Sequence, residues 1–133
     1  MTKFFISPGD PAGIGPEVTL KALSKNKKIQ NNFILAGDKN LYQDLISLNN
    51  LDLNLIEEDS DEEGVIFKHF PLKNNVSIGN PDVGNANYII DILSHGALGC
   101  LKREFKGLIT GPINKELINQ SGFEFSGHTE FLA

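Results

Sequence analysis

Lys3-Phe4-Phe5-Ile6-Ser7-Pro8-Gly9-Asp10-Pro11-Ala12-Gly13-Ile14-Gly15-Pro16-Glu17 carries the first reading of the fold. Lys3 to Ile6 is a short apolar run closed by Pro8 and Gly9, the pattern of a buried strand. A loop rich in glycine and proline follows. Pro16 then falls at the first position of a helix, where its missing N–H costs nothing. Glu17 lies in the first turn, where a carboxylate suits the helix dipole. Val18, Leu20, Ala22 and Leu23 supply a short inward stripe.

The same alternation repeats downstream. Residues 32–37 read as a second strand, and Asp38 as the N-cap of a helix with Leu41, Leu45 and Leu48 facing inward and Asn49-Asn50 as its stop. Leu53, Leu55 and Ile56 suggest a third strand. The acidic run 57–63 reads as a solvated loop, and Gly64 to Phe70 as a further strand closed by Pro71. Residues 85–101 form the longest helix candidate, with Tyr88, Ile89, Ile92, Leu93, Gly96 and Leu101 near helical spacing. A strand over 106–110 breaks at Gly111-Pro112, and a small helix follows over 114–119. Strands alternating with helices specify an α/β fold with a mixed or parallel sheet. No repeat or linker divides the chain, so no internal boundary is placed in 1–133. Ser126 to Ala133 reads as a cap and one helical turn, which cannot sustain itself, so the end reads as cut short.

Composition excludes several function classes. The chain has 133 residues, with 12 Lys+Arg against 17 Asp+Glu and a formal charge of −5, which argues against a nucleic-acid backbone binder. At 40% hydrophobic and 22% charged residues it can bury a core. The single cysteine, Cys100, excludes a disulfide scaffold and a cysteine-based zinc site. No apolar run reaches the roughly 18–20 residues needed to span a bilayer, and Met1 to Ser7 lacks signal-peptide features, so a cytoplasmic protein without membrane partners is expected.

Three segments carry possible chemistry. The loop from Pro8 to Pro16 could present amides and a helix dipole to an anion, although its glycines match neither a dinucleotide fingerprint nor a P-loop, and three prolines remove donors. Asp10 within it could orient a ligand hydroxyl or ammonium, or cap its own turn. Thr110-Gly111-Pro112-Ile113-Asn114-Lys115 follows a strand, at the edge where open α/β sheets bind ligands. Lys115 could meet a phosphate or carboxylate there, or sit in solvent. In Gly127-His128-Thr129-Glu130, the imidazole and hydroxyl could hold an oxyanion together, or serve structure alone. His69 and His95 read as ordinary surface or core residues, and three scattered histidines form no spaced metal motif.

Taken in order, Ile6 to Glu17, Leu108 to Lys115 and Ser126 to Phe131 resemble three sequence blocks of the 4-hydroxythreonine-4-phosphate dehydrogenase family. The resemblance implies a two-domain α/β architecture like that of isocitrate and isopropylmalate dehydrogenases, with 1–133 as its N-terminal portion. It implies a homodimer with the site between subunits, NAD as cofactor, and a divalent metal (zinc, magnesium or cobalt) whose ligands lie outside this segment. The implied reaction oxidises a phosphorylated hydroxythreonine, which then loses carbon dioxide to give 3-amino-2-oxopropyl phosphate for pyridoxal phosphate synthesis. The family's His-Thr pair contacts substrate, which maps onto His128 and Thr129; Asp10 and Lys115 are further pocket candidates without a fixed role. His69 and His95 do not match the family's metal ligands. Two other readings stand beside this one: a related dehydrogenase of a four-carbon sugar-acid phosphate, and a short non-catalytic module that binds a phosphorylated ligand or pairs with a full-length subunit.

Overall fold

The computed structural model describes residues 3–73, 75, 76, 79, 80, 82–120, 122 and 132. Strand β1 (Phe4–Ser7) leads into helix α1 (Gly15–Lys25), and a 3-10 segment, Lys27–Asn32, delivers the chain to β2 (Phe33–Gly37). Helix α2 (Lys39–Leu48) precedes the two-residue β3 (Leu55–Ile56) and β4 (Val65–His69). A short 3-10 turn, Val83–Asn85, opens α3 (Ala86–Leu101), followed by β5 (Gly107–Thr110) and α4 (Lys115–Gln120). The five strands make one sheet in the order β3-β4-β2-β1-β5, and every pairing is parallel. Of the mixed or parallel sheet expected, the structure adopts the parallel one.

Parallel strands are covered on both faces, and the side chains alternate accordingly. Phe5, Ile34 and Ala36 join the core under α3 with Ile89, Ile92 and Leu93. Ile6, Leu35 and Val65 point the other way, against Leu20 and Leu23 of α1 and Tyr42, Leu45 and Ile46 of α2. Burying each large aliphatic side chain in these layers contributes about 1.5–3 kcal/mol.

Some inward assignments fail. Val18 is 56% exposed, Leu48 80% and Leu101 80%, and Ala22 is also exposed. On α1 the core is met by Leu20 and Leu23, whereas Val18 and Ala22, one turn apart, lie together on the outer side. Leu48 and Leu101 are the last residues of their helices, where the chain leaves the layer.

Asp38 fastens the second strand to both layers. It caps α2 as expected, its Oδ1 accepting from the Leu41 amide at 3.1 Å, while Oδ2 accepts from the Leu72 amide at 2.9 Å. Its own amide donates to the Tyr88 hydroxyl at 2.8 Å, tying α2 to the start of α3. Burial raises the Tyr88 phenol well above its ordinary pKa. Beside this cluster the exposed His69 accepts the Lys39 amide through Nδ1 at 3.0 Å.

His95, half-buried on α3, lies 5.4 Å from the Phe5 ring centroid, 5.6 Å from Phe70 and 6.0 Å from Phe105. Burial lowers its pKa below 6.5, and Lys68 adds to the shift while Glu104 opposes it. The unfolded chain therefore binds the proton more readily, so stability falls as the pH drops below about 6.5. Urea melts at pH 7 and pH 5 should show wild type losing more stability on acidification than His95→Gln; equal losses would contradict this account.

Candidate functional site

The ends of β1 and β5 meet where the outgoing chain departs to opposite faces. From β1 the chain enters α1, whose Leu20 and Leu23 belong to the α1–α2 layer. From β5 it enters α4, whose Ile118 belongs to the α3 layer. Adjacent parallel strands with diverging exits leave a crevice beyond their carboxyl ends, the ligand position of open α/β sheets.

Two of the segments singled out in the sequence interlock there. The Asp10 amide donates to the Pro112 carbonyl at 3.0 Å, and the Gly111 amide to the Ser7 carbonyl at 2.7 Å. The approach is close enough to forbid side chains. A Cβ on Gly9, whose φ is +92°, would stand 2.2 Å from the Pro112 oxygen. The Pro8 carbonyl oxygen would lie 1.8 Å from a Cβ on Gly15 and 2.0 Å from one on Gly111. A third segment leans on the same loop, the Gly79 amide donating to the Ala12 carbonyl at 2.8 Å.

Asp10 is 6% exposed, and its two oxygens differ. Oδ1 accepts from the Ala12 amide at 2.9 Å, closing its own turn, while Oδ2 is buried without a hydrogen-bond partner. The turn-capping reading of Asp10 thus accounts for one oxygen, and the second remains as an unsatisfied acceptor. Burial raises the carboxyl pKa above 3.8, with the Ala12 amide partly opposing. Nearby, α1 begins without a side-chain cap, because Ile14 occupies the N-cap and is 68% exposed. In the first turn Gly15 and Glu17 offer amides and Pro16 none, beside the positive end of the helix dipole.

Lys115 is exposed and is the first residue of α4, three residues beyond Pro112 on the same sheet edge. His128 and Thr129 lie outside the described residues. Among the described residues no group of three or more His, Cys, Asp or Glu could hold a metal ion. Gly79, bonded to Ala12, and the 3-10 turn ahead of α3, packed against α4, add to this edge. There Asp82 accepts the Gly84 amide through Oδ1 at 2.7 Å, and Asn85 is buried to 2% exposure at the start of α3. A signal was available, since Asp82 stands two residues before Gly84, the spacing of an Asx turn.

The family described as pyridoxal phosphate biosynthetic protein PdxA matches residues 28–133. The chain belongs to the PdxA family. Curated relatives named 4-hydroxythreonine-4-phosphate dehydrogenase include a Vibrio parahaemolyticus protein, 33% identical over 98% of this chain and 41% of its own length. One from Enterobacter is 34% identical over 96% and 40%. The chain thus spans about two-fifths of the relatives it matches. Among solved structures, a Klebsiella pneumoniae protein titled 4-hydroxythreonine-4-phosphate dehydrogenase superposes with a TM-score of 0.86 at 21% identity, over 98% of this chain and 43% of that one. A Salmonella typhimurium protein titled a putative member gives 0.85 at 27%, over 99% and 44%. The parallel sheet with flanking helices is the fold they share with this chain.

Two substitutions test the edge. Gly9→Ala must push the Pro112 carbonyl away and adopt a disfavoured φ, and should cost about 3 kcal/mol or more in urea unfolding. Asp10→Asn keeps an acceptor for Ala12 and removes the buried charge. Because the folded carboxyl holds its proton to higher pH than the unfolded one, wild type should lose stability relative to Asp10→Asn as pH rises from about 4 to 7. A constant difference across that range would show that the charge carries no such penalty.

Proposed function

We propose that the protein to which this chain corresponds oxidises 4-phosphooxythreonine with NAD and releases carbon dioxide, forming 3-amino-2-oxopropyl phosphate for pyridoxal phosphate synthesis. The observation that carries this reading is the meeting of the opening loop with the Thr110–Lys115 segment at the β1/β5 crevice, in a chain of the PdxA family. The names of the curated relatives support the substrate and the reaction class.

In this reading the chain supplies one wall of a substrate pocket. Its uncapped α1 terminus and Lys115 suit the anionic groups of a phosphorylated hydroxy-amino acid. His128 and Thr129 donate hydrogen bonds to the substrate, as the family resemblance implies. NAD, when bound, would supply the hydride acceptor for the hydroxyl-bearing carbon, whose hydroxyl proton would leave to a base. The product is a β-keto acid, whose carbon–carboxylate bond then breaks with its electrons delocalised into the ketone. The divalent metal is assigned to ligands outside the described residues, and the working unit is a cytoplasmic homodimer.

A chimera in which these 133 residues replace the matched part of the Vibrio parahaemolyticus relative provides the test. With 4-phosphooxythreonine, NAD and a divalent cation, the chimera should form NADH and the 133-residue chain alone should not. His128→Ala in the chimera should lower kcat/KM by about 10–100-fold, the loss of a hydrogen bond to a charged group. NADH from the short chain would overturn the partial-pocket assignment, and an unchanged kcat/KM would remove His128 from the substrate site.

A further inference from the structure

Among the described residues, Asp10 Oδ2 is the one buried side-chain oxygen or nitrogen without a hydrogen-bond partner. The other buried carboxylate, Asp38, uses both of its oxygens. A buried acceptor left unmade is costly, and in a folded protein it calls for an explanation.

The local turn does not supply one. Every other polar atom of Asp10 is engaged: its amide donates to the Pro112 carbonyl, its carbonyl accepts from the Gly13 amide, and Oδ1 accepts from the Ala12 amide. The single side-chain oxygen of an asparagine would close the same turn. What the aspartate adds is a second acceptor and a negative charge. Among the described residues no lysine, arginine or histidine forms an ion pair with it.

Position assigns the missing donor to a ligand. Asp10 stands between the end of β1 and the start of α1, on the loop that meets Gly111-Pro112, at the edge where open α/β sheets take ligands. Two positive features border that edge, the amino end of the 11-residue α1 and the exposed Lys115. A ligand that is only anionic would leave Oδ2 bare. A neutral hydroxyl would make the hydrogen bond but leave the buried charge unbalanced, whereas an ammonium answers both.

We propose that Asp10 is a specificity-determining residue of the substrate pocket, its Oδ2 accepting a hydrogen bond from the ammonium group of a phosphorylated hydroxy-amino acid. The assignment rests on the substrate class proposed above. Oδ2 is closed to water in the folded chain, so a small shift of the loop accompanies binding. The pairing favours amino over non-amino substrates, while the anionic groups of the same molecule face the α1 terminus and Lys115.

Calorimetry on the chimera tests this with two ligands, 4-phosphooxythreonine and the analogue carrying a hydroxyl in place of its ammonium. Asp10→Asn keeps an acceptor for the Ala12 amide and removes the charge. The variant should bind the amino ligand about 10–100-fold more weakly, the loss of a hydrogen bond between charged groups, and the hydroxyl analogue within about threefold of wild type. Equal weakening for both ligands would reduce Asp10 to a support of its loop and overturn the proposal, as would no weakening for either. NADH formation is read separately. Turnover without discrimination removes the role of Asp10 and keeps the reaction, whereas discrimination without turnover keeps the role and removes the reaction. Should the variant not fold, the carbon-13 signal of the Asp10 carboxyl in the wild-type chimera gives a second readout. It should move when the amino ligand is added and hold still with the hydroxyl analogue; the same response to both refutes the assignment.

Discussion

The Pro8 carbonyl is held between two glycines that are far apart in sequence, and the site's geometry depends on that contact. Gly15 presses on it from the start of α1, and Gly111 from the end of β5. Neither position has room for a methyl group. The Asp10–Pro112 and Gly111–Ser7 hydrogen bonds hold the same approach from either side. The crevice at the strand ends is therefore lined by backbone brought into direct contact, which fixes its walls more tightly than side chains with rotamer freedom could. Prolines at 8, 11, 16 and 112 reinforce this by restricting φ in both loops.

Asp38 acts in a similar way at the end of β2, the strand beside β1. It bonds to α2, to the segment after β4 and to Tyr88 of α3, so the two helical layers are registered against each other through one side chain and its amide. Asp10 offers the contrast. It is equally buried, but only one of its oxygens is used. A fully bonded carboxylate anchors the scaffold, whereas the half-bonded one leaves an unsatisfied acceptor beside the ends of β1 and β5.

Much of this architecture is legible in the sequence, for reasons that differ by element. β1, β2, β4 and β5 show as apolar runs cut by glycine or proline, and α2 shows its start through Asp38 and its end through Asn49, the C-cap. What periodicity cannot give is which apolar positions find a partner, hence the exposed Val18, Leu48 and Leu101. The 3-10 segment Lys27–Asn32 is hidden in a polar, lysine-rich stretch, and its buried Gln30 is satisfied by donating to the Leu23 carbonyl at 2.9 Å. At the candidate site, composition marks the Pro8–Pro16 and Thr110–Lys115 loops separately. Their contact follows from strand order, which places β5 beside β1 only after the chain has crossed three strands. The unequal oxygens of Asp10 are likewise a tertiary fact with no local signature.

The two borders of the sheet have opposite characters. At one, β3 has only two residues and is followed at once by acidic chain over 57–63, while its link to β4 spans 57–64, below the dozen or so residues usual between parallel strands. So short a strand, followed at once by so many carboxylates, resists lateral addition. At the other border β5 presents four residues with Ile109 partly bare, next to the crevice. Among the described residues, lateral addition to this sheet is thus left open on the side of the crevice and opposed on the other.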